Sequence, residues 1–331
     1  MRAAWYERTG PAAEVLTVGT MPDPVAGPGD VLVRVRASGV NPSDTKQRAG
    51  WRGAKPAFPR IVPHADGAGE IVAVGPGGDA RRIGTRVWIY NGVGLYDARR
   101  AFGTAAELIA VPDEQAVPLP DPMSFAEGAC LGVPAETAHR AVFADGSVEG
   151  QTILVAGGAG AVAHYAIQFA KLGGARVIAT VSSPAKAAHA QSAGADVLID
   201  RRQEDVAARV LALTDGIGVD RIVEVDLGAN LPIDAKIIRT NGVIASYSST
   251  AVPEPAFPYY PLAFKGVTLR LVQGYNLPPA ARRDAIAAIA RHGGAGRLTH
   301  AIARRFPLAE IARAHEYLES GQAIGNVVVE I

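Results

Sequence analysis

The residues with the clearest chemical capacity are Gly157-Gly158-Ala159-Gly160-Ala161-Val162-Ala163, which directly follow the apolar run Thr152-Ile153-Leu154-Val155-Ala156. Glycines at such a turn leave no Cβ in the way, so backbone amides and the positive end of a following helix can approach a pyrophosphate. The spacing is G-x-x-G-x-x-A rather than G-x-G-x-x-G, so the setting has to support it. Val162, Ala166, Ile167, Phe169 and Ala170 recur at helical spacing, Gly173-Gly174 ends that stripe, and Arg176 to Val181 reads as the next strand. This strand, helix and strand predict a dinucleotide site built on Gly157, Gly158, Ala159, Gly160, Ala161 and Val162. The alternative is a glycine turn that packs tightly without a ligand.

The next residues bear on which dinucleotide. An NAD-binding unit usually carries Asp or Glu about 20 residues beyond the glycines, where it holds the ribose 2′-hydroxyl. Here the second strand ends in Thr180-Val181-Ser182-Ser183, and no carboxylate follows until Asp196. An acid there would repel a 2′-phosphate, whereas the hydroxyls of Ser182 and Ser183, followed by Lys186, would accept one. NADPH is the cofactor this pattern predicts, with a solvated helix lysine as the rival reading of Lys186.

Several elements must position these groups. Val31 to Arg36, Gly69 to Gly75 and Arg86 to Tyr90 read as strands with few helices between them, which suggests a partly open β-barrel ending near Pro118, Pro120 and Pro122. From about Ser124 to Ser249, strands at Ile153–Val155, Val177–Val181, Val197–Ile199, Arg221–Val225 and Val243–Ser246 alternate with helical patterns, the rhythm of a parallel sheet covered by helices. After Pro253, Pro255, Pro258 and Pro261, Val267 to Val272 resumes strand character, and two helices (Pro279 to His292, Pro307 to Ser320) precede a last strand, Asn326 to Ile331. The fold class expected is α/β, with a barrel domain over 1–122 completed by about 266–331 and a doubly wound parallel sheet over 123–265.

With 331 residues, 48% hydrophobic and 20% charged, the chain is long enough for two domains, and its formal charge of +1 offers no general attraction to nucleic acid or anionic lipid. The start, Met1-Arg2-Ala3-Ala4-Trp5, lacks the apolar centre of a signal peptide, and no apolar stretch reaches the roughly 18 residues of a membrane span. A cytoplasmic protein is expected. Cys130 is the only cysteine, which excludes an internal disulfide and a multi-thiolate zinc site, and its apolar neighbours suggest buried filler.

Taken end to end, the chain resembles the medium-chain dehydrogenase/reductase superfamily, and within it the zinc-independent quinone oxidoreductase (zeta-crystallin-like) branch. The resemblance rests on Gly39-Val40-Asn41-Pro42-Ser43-Asp44, Pro63 to Glu70, Gly103-Thr104-Ala105-Ala106-Glu107, the glycine turn, Gly194-Ala195-Asp196 and Gly325 to Val329. It implies a GroES-like first domain, a Rossmann second domain and a homodimer joined through a sheet-edge strand. In the zinc alcohol dehydrogenases of the superfamily a Cys and a His in two of these segments hold a metal. Here Pro42 or Ser43 and Ala65 take those positions, His64 is one residue too early, and no metal is expected.

The resemblance further implies that Asn41 faces the nicotinamide with Asp44 behind it, and that Thr137 lies near the cofactor. Asn41 would orient the carboxamide or donate to the acceptor oxygen, and Asp44 would fix the loop. The same positions also suit a turn residue, a helix cap and a core hydroxyl. Ser246, Tyr247 and Ser248 resemble the segment lining the nicotinamide half, and Asn326 a polar position near the cofactor or a turn before the last strand. Arg201 falls near the 2′-phosphate or adenine, or else pairs with Glu204 or Asp205. Lys46 stands where close relatives show an aromatic, which favours a substrate of negative or carbonyl character. The activity implied is metal-free reduction of a quinone or related conjugated carbonyl by NADPH. The alternatives are an enal, enone or enoyl-thioester reductase and a non-catalytic NADPH-binding protein.

Overall fold

A computed structural model of the protein describes residues 1–94 and 99–331. The chain divides into two compact units, Met1–Pro134 with Ile286–Ile331, and Ala135–Ala285. Both junctions lie later in the chain than 122 and 265, where the proline clusters suggest them. The physical reason at the second junction is that Thr268–Leu271 pairs in parallel with Ile238–Ser246 and so extends the parallel sheet past residue 265.

In the first unit β1 (Arg2–Trp5) and β2 (Thr17–Thr20) form an antiparallel pair. They are followed by β3 (Asp30–Val40), β4 (Asp66–Val74), β5 (Arg86–Ile89), β6 (Leu108–Pro112) and β7 (Ala116–Pro118). Along β3, Val31, Val33 and Val35 point inward at the strand period of two, and they meet Ile71, Val87, Ile89, Ile109 and Val111 in one core.

The second unit carries β8 (Thr152–Val155), β9 (Arg176–Val181), β10 (Val197–Asp200), β11 (Val219–Glu224), β12 (Ile238–Ser246) and β13 (Thr268–Leu271). They lie in the order β10-β9-β8-β11-β12-β13, all parallel, so the direction of winding reverses between β8 and β11. Helices cover such a sheet on both faces, which is why its strands read as short continuous apolar runs. Ligands of doubly wound sheets bind outside the carboxyl ends of the strands at that reversal.

The chain then returns to the first unit as β14 (Ile302–Pro307) and β15 (Asn326–Glu330), giving a sheet ordered β14-β15-β3-β4-β5-β7 with β6 also beside β3. No helix among the described residues is long and apolar enough to cross a membrane.

Candidate active site

In the second unit the turn after β8 is shaped by what its glycines lack. Gly157 has φ +66°, in the left-handed region that strains any side chain. A Cβ on Gly158 would lie 2.9 Å from Ala179 Cβ and 3.1 Å from Ala190 Cβ, so glycine here permits close packing against β9 and the next helix. Gly160 is exposed, and a Cβ there would meet only Gly157 O at 3.5 Å, so the mouth of the turn is open. Thr180 clamps the turn from β9: Gly157 N donates to its Oγ1 at 3.0 Å, and Gly158 N to its carbonyl at 2.9 Å.

The helix that follows, Ala161–Leu172, has no acid in its first turn and no side-chain cap. Its leading amides, those of Ala161, Val162 and Ala163, therefore have no carbonyl partner within the helix, and the helix dipole favours an anion there. Open glycines and unused donors fit a dinucleotide pyrophosphate.

The end of β9 suits a 2′-phosphate. Ser182 is buried, and Ser183 caps the helix Pro184–Ser192, its Oγ accepting from Lys186 N at 3.4 Å. A hydroxyl that accepts one bond still has its proton to donate. The first carboxylate downstream, Asp196, is held by Lys171 at 2.8 Å. Arg201 is exposed after β10, while Glu204 pairs with Arg209 at 3.5 Å and Asp205 caps the helix Val206–Leu213 through Ala208 N at 3.0 Å. Both acids thus have partners other than Arg201.

At the end of β12, Ser246 Oγ donates to Ser248 O at 3.0 Å, and Tyr247 N donates to Glu224 O at 3.1 Å. Glu224 closes β11 wholly buried, and its Oε1 accepts from Asp226 N at 2.5 Å and Asn230 Nδ2 at 2.9 Å. Burial and the Asp226 charge nevertheless hold its carboxyl above the usual range. Thr137 is buried on the helix Glu136–Phe143.

The first unit builds its cluster from side chains. Pro42 starts the helix Pro42–Ala49 after Asn41, whose backbone N donates to Asp44 Oδ2 at 2.8 Å. Asn41 Nδ2 donates to Asp66 Oδ2 at 2.7 Å, and Val133 N donates to the same oxygen at 2.9 Å. Val133 lies in a π-helical turn, Leu131–Ala135, that contains Pro134, where the normal ladder is broken. A Cβ on Gly132 would fall 2.1 Å from Asp66 Oδ1, so this wholly buried carboxylate needs glycine beside it.

Behind Asp66 runs a buried chain of hydrogen bonds. Thr104 Oγ1 donates to Asp66 O at 2.6 Å and shares a 2.7 Å bond with Ser38 Oγ. Ser38 Oγ meets His64 Nδ1 at 2.8 Å, and His64 Nε2 meets His315 Nε2 at 2.8 Å.

Burial pushes the Asp44 carboxyl up to about 8, helped by the Asp66 charge and opposed by hydrogen bonds from Asn41 and Ala65. Burial lowers His64 to about 3 and His315 well below the ordinary range, so both rings are neutral at physiological pH. His64 has φ +77° and serves as a hydrogen-bonded core residue. Among the described residues no group of three His, Cys, Asp or Glu side chains could hold a metal ion.

The remaining sequence candidates have evident partners. Asn326, at the start of β15, donates to Ala301 O through both its backbone N (2.8 Å) and its Nδ2 (3.0 Å), which is the work of a turn residue. The Lys46 ammonium lies over the Trp51 ring, 4.9 Å from its centre. Cys130 is buried, donates its thiol to Ala126 O at 3.2 Å, and has its pKa raised by burial.

The structure thus gathers the glycine turn with Ser182 and Ser183 at the carboxyl ends of β8 and β9. It separately gathers Asn41 with Asp44. Sequence reasoning missed Asp66, Gly132, Thr180 and Glu224. Only Asp66 carried a signal, an acid inside the segment Pro63 to Glu70.

The chain matches the family model of the alcohol dehydrogenase GroES-like domain over residues 27–121 and that of the zinc-binding dehydrogenase over residues 161–291. A quinone oxidoreductase of Pseudomonas aeruginosa is 32% identical over 310 residues, covering 92% of this chain and 91% of that protein. Among solved structures, a mycobacterial protein complexed with NADPH is similar with a TM-score of 0.88 at 29% identity, over 100% of both chains. A quinone oxidoreductase of Pseudomonas syringae pv. tomato gives 0.87 at 29% identity, over 100% of this chain and 99% of that one.

Proposed function

Because this chain belongs to the quinone oxidoreductase family of the medium-chain dehydrogenase/reductase superfamily, we propose that it reduces quinones or related conjugated carbonyls with NADPH and without a metal. The observation that carries this reading is the 2.7 Å contact between Asn41 and Asp66. It fixes a neutral amide in the loop where the zinc enzymes of the superfamily hold a thiolate. When bound, NADPH supplies the hydride, and a conjugated acceptor takes it without a Lewis acid because the new charge is delocalised.

The chain's own residues supply position and polarity. The amides after Gly160 hold the pyrophosphate; Ser182, Ser183, Lys186 and Arg201 hold the 2′-phosphate. Thr137, Ser246, Tyr247 and Ser248 line the nicotinamide half, whereas Asn326 serves as a turn residue. Asp66 orients the Asn41 amide, and that amide meets the carboxamide or the acceptor oxygen. Asp44 braces the loop through Asn41 N and keeps a proton on its carboxyl below about pH 8.

NADPH consumption against ortho- and para-quinones, 2-enals, cyclic enones and enoyl thioesters tests the assignment. Turnover with quinones is expected, undiminished by a chelator. Turnover with enoyl thioesters alone, or activity lost on chelation and restored by zinc, would overturn it.

The working form is a homodimer in the cytoplasm, a compartment in keeping with a lone buried cysteine. The edge strand β13 carries Leu271 at 73% exposure, and Tyr259, Tyr260 and Phe264 are also exposed at 63%, 66% and 84%. An open strand edge and apolar surface of this kind are liabilities in a monomer. Light scattering at micromolar concentration should give twice the chain mass of 34.3 kDa, and the chain mass itself would refute the dimer.

A further inference from the structure

The buried chain that runs from Asp66 to His315 has a direction dictated by its atoms. Thr104 Oγ1 has one proton and lies 2.6 Å from Asp66 O, a carbonyl that can only accept, so that proton is spent there. The 2.7 Å bond between Thr104 and Ser38 is then donated by Ser38. Ser38 has no second proton, so the 2.8 Å bond with His64 Nδ1 is donated by the imidazole. Neutral His64 carries one ring proton; with that proton on Nδ1, its Nε2 is a bare acceptor, and His315 Nε2 donates to it at 2.8 Å.

The far end of the chain agrees. His315, also neutral, is left with a bare Nδ1, which is buried without a hydrogen-bond partner. The Nε–H of Arg48, whose charge acts on the same ring, is likewise buried and unpartnered. One donor and one acceptor are complementary, whereas the reverse direction would leave two N–H groups.

His64 has φ +77°, a left-handed backbone that glycine would adopt without strain. An imidazole persists there because both of its nitrogens are bonded. The next residue, Ala65, donates its backbone N–H to the Asp44 carboxyl, and Asp66 after it accepts from Asn41 Nδ2 and Val133 N. The segment 64–66 therefore grips both ends of the Asn41–Asp44 loop, and the chain through Thr104, Ser38 and His315 grips the segment.

We propose that His64 and His315, locked as the Nδ1–H and Nε2–H tautomers, are positioning residues for the Asn41 amide, the group that meets the carboxamide or the acceptor. The proposal rests on the reductase reading above. Because the chain ends on a backbone carbonyl, which has no proton to pass on, it orients and does not deliver protons. Misplacing a reacting partner by about 1 Å can cost about a hundredfold in rate, so a loosened segment is felt in kcat.

Long-range proton–nitrogen spectra of the wild type with nitrogen-labelled histidines report which ring nitrogen is protonated. His64 should appear as Nδ1–H and His315 as Nε2–H, each identified by the signals lost in His64→Asn and His315→Gln. In His315→Leu, kcat for 1,2-naphthoquinone should fall about tenfold while KM for NADPH changes less than about twofold, and hydrogen exchange at the Asn41 side-chain amide should quicken. His315→Gln keeps a donor near the Nε2 position and should restore most of the kcat. Ser38→Ala breaks the chain on the other side of His64 with a smaller change of volume and should lower kcat in the same way.

A group that only adds stability would lower the urea midpoint and leave kcat per folded molecule as it was. His64 protonated on Nε2, a kcat within about twofold of the wild type in both His315→Leu and Ser38→Ala, or His315→Gln no better than His315→Leu overturns the proposal. The spectra also separate the two readings. A wild type that reduces no quinone, with His64 as Nδ1–H and faster Asn41 exchange in His315→Leu, would sink the reductase and support the positioning chain. Quinone reduced with His64 protonated on Nε2 would do the reverse.

Discussion

Under the function proposed above, the two units would meet a ligand in opposite ways. In the second, the donors are backbone amides, and the residues that matter do so by lacking side chains, as the 2.9 Å clash awaiting any Cβ on Gly158 shows. In the first, the working groups are the side chains of Asn41, Asp44 and Asp66, all buried, from positions made neighbours only by folding. A backbone site tolerates many side chains around it but no Cβ within it. A side-chain site depends on each acceptor being present, because a buried donor left unpaired costs about 1–3 kcal/mol.

That contrast is most exposed to failure at Asp66. Asp66→Ala strips the acceptor from Asn41 Nδ2 and Val133 N together, so urea unfolding should show a loss of about 2–5 kcal/mol, with quinone turnover reduced as well. Asp66→Asn keeps one acceptor oxygen and should recover part of both; wild-type stability in Asp66→Ala would show that this carboxylate fixes nothing.

On the backbone side, Gly158→Ala forces a shift where packing is already tight and should cost about 1–3 kcal/mol, together with NADPH affinity. An alanine variant that melts and binds like the wild type would break the claim that missing Cβ atoms shape this turn.

Lys186→Ala should cost about 1.5 kcal/mol, roughly tenfold in NADPH affinity, with little change for NADH. Adding Ser182→Asp should move preference further toward NADH. Equal weakening for both cofactors would mean that Lys186 does not meet the 2′-phosphate.

The remaining test reads a slope rather than a single loss. Asp44 rises from 3.8 to about 8 on folding, so between those values the folded protein binds more protons, and its stability falls as pH rises through that window and levels off above it. Asp44→Asn should flatten that part of a stability profile measured from pH 4 to 9. An unchanged slope would place the titration elsewhere.

The same contrast explains what could be read from the amino-acid order. The turn at Gly157 to Gly160 was legible because a positive φ and a close helix approach prescribe glycine, and the apolar runs on either side prescribe strand and helix. The missing acid near Ser182 was legible because cofactor charge constrains that one place. Asp66, Gly132 and Val133 were not, since their meeting depends on a π-helical turn and on strands far apart in the chain. Thr180 was hidden for another reason: a threonine inside an apolar strand reads as a β-former, and nothing local shows its hydroxyl reaching Gly157 N.

The position of β15 between β14 and β3 has a consequence for how the molecule is made. The first unit's sheet has a gap beside β3 until Asn326–Glu330 exists, and the contacts of Arg48 with Glu319 and of His64 with His315 wait for the helix Ile311–Glu319 just before it. The second unit, Ala135–Ala285, is continuous and needs nothing from beyond its own end. Long-range pairings form late because the closure entropy must be met before they contribute. During synthesis the unit that begins to emerge second is therefore the one that can finish folding first, while its predecessor waits on the ribosome with an open edge at β3.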